Sequence, residues 1–414
     1  MRIRKKYLFY TLAFASAIIG AIVATIDTVI SSEFIPDPWA LGFACFIVGV
    51  PISLIFCLFF SIPTPNKKSI GAKIIDPSFK RLRLIKRIEL PYHLLAGLGN
   101  AILTIGYFML LSMLKDPSVV LPFSQIVILY LLIFESITEK NIPTLIEVQS
   151  SVIVTFGAIL GSISLIGTIN PLSMIIVFLV INPAWVLFSI YQRKLKLLRI
   201  NEKPNDSLNI RFWNVIFACF FTAIIVKLYD FITGNQYFNA GITAALTHFN
   251  WVALTMSFTF FSYVFYIRAL GIGKASVTQA IRASTIIFAI PLSILLSILG
   301  IIEPFSVNPL MWLIKTIGIT LILLGIVSFA LTLVKAYIFI NIKPNHSIEE
   351  TMQKLWNIKG VTRVCATTGP YDIMVKIYTR TLVTGYERII RKVEEIDAIK
   401  EYKWESVLKE WEEI

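Results

Sequence analysis

Stretches of about 20 apolar residues recur along most of the chain, at 7–30, 39–62, 91–114, 117–138, 146–167, 172–191, 211–231, 247–269, 278–301 and 309–334. A helix of about 20 residues crosses the hydrocarbon core of a bilayer. Ten such stretches in one chain predict an all-α bundle of ten transmembrane helices over residues 1–335. Composition agrees: 15% of residues are charged, against about a quarter in a soluble chain. That is too little charge to coat a soluble particle, so a purely soluble enzyme is excluded. The 30 Phe, 15 Tyr and 8 Trp exclude disorder. Four scattered Cys and three His give neither a disulfide framework nor a metal-ligand spacing, so no metal is expected.

The loops set an orientation. Arg2, Arg4, Lys5 and Lys6 precede the first span, and its apolar run exceeds a signal peptide's 7–15 residues, so it reads as an uncleaved span. Eight basic residues lie between spans 2 and 3, from Lys67 to Arg87, and six between spans 6 and 7, from Arg193 to Arg211. Arg268 and Lys274 flank the turn before span 9. All fall on one side if ten spans are correct, and only Lys115 breaks the pattern. Cytoplasmic loops carry the Lys/Arg excess, which predicts a multi-pass protein of the cell membrane with both termini in the cytoplasm. The net charge of +13 lies wholly in this part, since residues 336–414 hold 12 basic and 12 acidic residues. Basic loops between apolar spans report orientation, so no nucleic-acid partner is expected.

An internal repeat runs through Tyr107–Leu129 and Tyr266–Ile287, each an aromatic-rich helix, a small-residue turn and then Ser-Val before the next span. Five spans separate the two, so the halves begin on opposite sides, giving a five-plus-five inverted repeat. After Val334 the pattern becomes that of a soluble domain: strands at 336–342, 361–368, 371–379 and 400–408, with helices at 347–357 and 381–396. This β-α-β-β-α-β order predicts a small ferredoxin-like α+β domain over 336–414.

Two resemblances follow. The repeat, the basic second loop, and Thr138-Glu139 and Ile302-Glu303 at the ends of spans 4 and 9 resemble the drug/metabolite transporter superfamily of EamA type. Gly20 and Ala184-Trp185 stand where that family often carries a Trp-Gly or Trp-Ala pair. The run GVTRVCATTGPYDIMVKI (Gly360–Ile377) resembles the ligand-binding (RAM) domain of Lrp/AsnC-type regulators. That family's domain assembles into dimers or larger oligomers and binds amino acids or related effectors near subunit contacts. The first resemblance implies a secondary transporter, and family analogy favours export.

Polar residues deep in a span are costly and mark candidate sites. Asn182, before Pro183 in span 6, either contacts substrate at the midplane or bonds a neighbouring helix at a kink. Trp185 lines a cavity or packs. Asn100 in span 3 and Gln125 in span 4 bind substrate or tie helices together. Arg282 pairs with a substrate carboxylate or phosphate, or snorkels to the surface. Asp27 is a candidate for proton coupling, unless hydrated near the outer surface. Glu135, Glu139, Glu147 and Glu303 read as interfacial, and Lys315, His248 and Asn250 as wet. Tyr263 and Tyr266 read as packing or cavity lining. In the tail, Gly369, Tyr371 and Asp372 are candidates for an effector pocket, against a plain Gly-Pro turn.

No nucleophile–base pair, phosphate-cradling loop or cofactor motif appears, so neither catalysis nor a cofactor is expected. The expectation is an exporter of amino acids or similar small metabolites, regulated by an amino acid bound to the tail. The alternatives are a non-transporting membrane sensor of small metabolites, or a transporter of another substrate whose tail only holds a homodimer or higher oligomer together.

Overall fold

Asp37 sets the start of the second long helix. Its carboxylate accepts from the Ala40 amide at 2.8 Å, and Pro38 fills the first helical position, where a missing N–H costs nothing. Asp206 does the same for a later helix, accepting from the Asn209 amide at 2.7 Å. The computed structural model describes residues 5–65, 68–114, 124–138, 145–161, 171–200, 203–301, 309–331, 334–358, 360–379 and 389–406. They form two compact units, residues 1–141 with 151–324, and residues 142–150 with 325–414.

The first unit is helical. In chain order its elements are α1 (Lys5–Val29), α2 (Pro38–Ser61), the short α3 (Ile70–Ile74), α4 (Leu90–Leu114), α5 (Val127–Thr138) and α6 (Leu145–Gly161, shared with the second unit). Then come α7 (Pro171–Ile175), a π-helical turn at Ile176–Ile181, α8 (Asn182–Leu197), α9 (Ser207–Thr233), α10 (Tyr237–Thr247) and α11 (Phe249–Leu270). α12 (Ala275–Arg282), α13 (Thr285–Ile298) and α14 (Pro309–Leu331) complete the helices of this part. Among the described residues seven helical segments are long and apolar enough to cross a membrane. They are Leu8–Phe34, Pro38–Ser61, Leu90–Leu114, Ile176–Leu197, Ser207–Thr233, Phe249–Leu270 and Ala275–Ile298. Shorter apolar helices occur at Val148–Gly157 and Trp312–Ser328.

Three local features refine the sequence reading. α10 occupies what reads as an outer loop. Its 11 residues are too few for a span, but the Asp230 carboxylate accepts from the amides of Tyr237 (2.8 Å) and Phe238 (2.9 Å) and starts it. Trp39, Tyr229 and Tyr237 stack beside that cap, with centroids 4.0 and 5.8 Å apart. The apolar run 278–301 is broken at Ala283-Ser284 into α12 and α13. The run 172–191 carries the π turn just before Asn182-Pro183, where the ring of Pro183 cannot accommodate a regular helical bond.

Close packing in the first unit depends on glycines of α4. A Cβ on Gly99 would stand 2.8 Å from the Ala184 carbonyl oxygen and 2.8 Å from the Phe188 amide of α8. A Cβ on Gly97 would stand 2.5 Å from Phe217 Cβ of α9. Small residues of this kind let helix backbones approach where no hydrophobic force drives them together.

The second unit contains a four-stranded antiparallel sheet. Its strands are β1 (Val334–Ile342), β2 (Val361–Ala366), β3 (Ile373–Thr379) and β4 (Ile399–Ser406), in the order β2-β3-β1-β4. α15 (Ile348–Trp356) lies between β1 and β2, and residues 389–394 are helical before β4. The order, with β1 and β3 central, is that of a ferredoxin-like domain. Alternate residues of β1 and β3 (Ile338, Ile340, Ile373, Val375, Ile377) meet Leu355, Ile389, Ile390 and Val393 in one core.

Candidate functional site

α1, α2, α4, α8, α9, α11 and α12 line a cavity of about 120 Å³, far above the ~10–15 Å³ that a single water needs. Its wall is largely apolar (Val23, Phe46, Leu103, Phe108, Met256), with a few polar groups converging on it. That mixture is typical of small-molecule sites.

The charged part of the wall is built from two arginines. Arg282 ends α12, and its guanidinium lies over three rings: Tyr266 at 5.0 Å, Trp185 at 5.1 Å and Tyr263 at 5.2 Å. Arg211, one turn into α9, lies 4.5 Å over one of the same rings, Tyr263. Both are buried, at 8% and 1% exposure. Arg211 Nη1 donates to Asn214 Oδ1 at 3.3 Å, which also accepts from Asn100 Nδ2 at 3.0 Å. Arg282 Nη1 and Arg211 Nε are buried with no hydrogen-bond partner among the described residues. No described carboxylate pairs with either guanidinium. The rings supply cation–π attraction, which is worth most where water is excluded.

A carboxylate occupies another part of the same wall. Asp27 is buried and accepts from Thr255 Oγ1 of α11 at 2.6 Å. α1 and α11 are joined again by Ser262, whose hydroxyl donates to the Ser16 carbonyl at 3.0 Å. Tyr107 and Cys45 line the wall with Asp27.

Of the sequence candidates, Asn100, Trp185, Arg282 and Asp27 share this cavity. Gln125 and Asn182 do not line it. Gln125 accepts from Gln279 Nε2 at 3.0 Å, a tie to α12. Asn182 is wholly buried on α8, and both its amide atoms lack a partner among the described residues. Arg211 is the residue sequence reasoning missed: it reads as the last basic residue of a loop. The signal that finds it is Asp206, whose cap starts α9 at Ser207 and carries Arg211 inside. Two further sequence assignments change. Glu135 is buried, not interfacial, because the first amides of α12 meet it. Lys315 is buried, not wet. Lys115, Glu139 and Glu303, residues 117–123 and 162–167, and 381–388 and 407–408 of the tail lie outside the described residues, as does the side chain of Glu147.

At the basic-loop end of the first unit lies a polar network. Lys196 Nζ donates to Asp76 Oδ2 at 2.5 Å and to the Asn205 carbonyl at 2.6 Å. Asp76 Oδ2 also accepts from the Ser207 amide and hydroxyl, at 2.9 and 2.8 Å. Burial pushes the Asp76 carboxyl up, but the Lys196 charge and these hydrogen bonds outweigh it and hold the pKa at about 2. Glu89 takes two 2.7 Å bonds from Arg83 and one from Asn205 at 2.7 Å. Burial raises it, and the Arg83 bonds return it below its ordinary value.

In the C-terminal unit Asp372 has a structural task. Its Oδ2 accepts from the Ile342 amide at 2.7 Å, where the β1–β4 register shifts between Asn341 and Ile342. Its backbone carbonyl accepts from the Thr367 amide at 2.9 Å, and its amide donates to the Ile340 carbonyl at 3.0 Å. Tyr371 lies 5.4 Å from the Phe339 ring. A Cβ on Gly369 would meet nothing within 4 Å, so its hairpin leaves open space there.

No curated protein matches the chain. A solved structure titled only "Crystal structure of protein" aligns with 77% of this chain and 95% of its own, at 15% identity and a TM-score of 0.45. The family model described as the Lrp/AsnC ligand binding domain matches residues 335–413. With the β2-β3-β1-β4 sheet in place, the C-terminal part of the chain is a domain of the Lrp/AsnC ligand-binding type, attached to helices apolar and long enough to cross a membrane.

Proposed function

We propose that the chain is a secondary transporter of small metabolites bearing a carboxylate or similar anionic group, amino acids first, and that its Lrp/AsnC-type domain binds an amino acid that regulates it. The observation that carries this reading is the pair Arg211 and Arg282 in one cavity between apolar helices, with no described carboxylate against either. A buried guanidinium in a membrane is expensive, and its planar fork matches a carboxylate bidentately. Asp27, on the same wall, suits the ammonium of a zwitterion or a coupling proton.

The larger architecture belongs to the proposal. The ten apolar stretches, arranged as a five-plus-five inverted repeat of EamA type, would rock about the cavity to give alternating access. The basic loops support a place in the cell membrane with both termini cytoplasmic, and family analogy alone favours export as the direction. The Lrp/AsnC-type domain supports a homodimer or higher assembly, in which effector binding favours one transport state over the other. No catalytic role is proposed.

The test is flux of a radiolabelled amino-acid mixture in proteoliposomes, with Arg282→Ala and Arg211→Ala beside the parent. Uptake or release by the parent and its loss in both variants, with unchanged size-exclusion profiles, is the expected outcome. Binding without flux would instead make the chain a membrane sensor. Neither binding nor flux with folded protein would overturn the reading.

A further inference from the structure

Helix α8 places Asn182, Trp185, Ser189, Gln192 and Lys196 at successive spacings of three, four, three and four residues, and so on one face. All five are buried. A buried polar face along a helix that spans lipid is costly, and such faces line water-filled routes or are satisfied by neighbours. Here the two halves of that rule alternate. Ser189 bonds the Tyr266 hydroxyl at 2.8 Å, and Lys196 bonds Asp76 and the Asn205 carbonyl. Both amide atoms of Asn182 and both of Gln192 have no partner among the described residues.

The order along the helix matters. Trp185 is in the cavity wall. At 1.5 Å per residue, Gln192 lies about 10 Å further along the axis and Lys196 about 16 Å. The unpartnered Gln192 therefore sits between the cavity and a buried ion pair. That pair joins three segments, since Asp76 follows α3, Lys196 ends α8 and the Ser207 amide and hydroxyl on Asp76 begin α9. The stem of Lys196 passes over Gly271, where a Cβ would stand 2.5 Å from Lys196 Cγ. Arg268 donates to the Ile75 carbonyl beside it, which holds the turn after α11 to the same closure.

We infer that this face of α8 is the wall of the path between the cavity and the basic-loop end of the bundle, and that the Lys196–Asp76 pair closes that path in the conformation seen here. The identity of the solute rests on the function proposed above; the path and its closure do not require it.

The test is cysteine accessibility in sealed vesicles of known orientation, using a membrane-impermeant methanethiosulfonate. The background is full-length protein with Cys45, Cys57, Cys219 and Cys365 replaced by Ala. Gln192→Cys reports the path. Leu84→Cys, 81% exposed, is the accessible control, and Leu195→Cys, fully buried in an apolar cluster with Ile210 and Ile267, is the packing control. Gln192→Cys is expected to label slowly, and at least tenfold faster from the basic-loop side when Asp76→Asn or Lys196→Met is added. Gly271→Ala, which displaces the Lys196 stem without removing either charge, is expected to act in the same direction. Leu195→Cys is expected to stay slow throughout. Labelling of Gln192→Cys that none of the three closure variants changes, while Leu84→Cys reacts normally, overturns the inference. So does an equal rise at Leu195→Cys, which would mean local unfolding. Gated labelling without any flux would remove the transport reading and leave the path standing.

Discussion

Glu135 takes both polar hydrogens of Ser276, the hydroxyl at 2.6 Å and the backbone amide at 3.1 Å. It takes the Ala275 amide as well, at 2.7 Å. The carboxylate of α5 thus caps the N-terminus of α12, a helix whose own N-cap residue, Lys274, makes no side-chain cap. A negative charge there satisfies orphan amides and opposes the helix dipole favourably. Arg193 of α8 adds a 3.3 Å contact to the same carboxylate. Glu135→Ala leaves several buried donors and a guanidinium without their acceptor. It is expected to cost about 2–4 kcal/mol, with Glu135→Gln costing less because an amide oxygen still accepts. Thermal melting of the solubilised protein measures both, and equal melting of Glu135→Ala and parent would refute the cap.

Gly99 makes a sharper packing prediction. The atoms in the way of a Cβ are backbone atoms of α8, the Ala184 oxygen and the Phe188 nitrogen, which cannot rotate aside. Gly99→Ala must push α4 and α8 apart, at a cost of about 1–3 kcal/mol. Trp185 lies on α8 and Asn100 is next in sequence to Gly99, so ligand binding in the cavity should weaken along with stability. A melt and a binding titration on the same preparation check the two together.

Seven of the ten apolar stretches match helices long enough to cross a membrane among the described residues, because length and hydropathy speak directly to a bilayer, and the tail was legible because its charge and alternation break from them. Arg282 and Trp185 stood out as polar or aromatic groups inside apolar runs. Arg211 did not, because it follows a basic loop and its burial is decided by where Asp206 caps α9. Glu135 and Lys196 were hidden for the same reason: each lies near a helix end, and what buries it is a partner distant in sequence, Ser276 in one case and Asp76 in the other. α10 was missed because an 11-residue helix held by Asp230 fits no length rule for spans.

Acid should weaken the basic-loop network through Asp76. Its folded pKa of about 2 lies below the ordinary carboxylate value, so its contribution is complete above pH ~4 and is lost as pH falls through ~2. Losing the ionised Asp76 in the folded protein costs about 2 kcal/mol. The groups facing it are Lys196, Ser207, Arg268 and Asp206. Asp206 is raised chiefly by burial and acts with the opposite sign, gaining stability on protonation. A melting series from pH 7 to pH 3 should show the loss beginning below pH 4 in the parent. In Asp76→Asn the protein should be less stable at pH 7 but flatter below pH 4. The same acid slope in both would assign it to other carboxylates.

The tail hairpin separates structure from ligand binding. Asp372 holds the Ile342 amide at 2.7 Å, so Asp372→Ala should destabilise the C-terminal domain by about 1–3 kcal/mol whatever the domain binds. Gly369 differs, since a Cβ there meets nothing within 4 Å and its backbone is not left-handed. Gly369→Ala should therefore leave the apo protein's melting unchanged. If the hairpin borders the effector pocket, the added methyl stands where the ligand approaches, and the melting shift given by the effective amino acid should shrink in this variant. A screen of the twenty amino acids by thermal shift on the full-length protein identifies that ligand, since binding to the native state raises its melting point. An unchanged shift in Gly369→Ala would place the effector elsewhere on the domain, and no shift with any amino acid would leave the tail an assembly module.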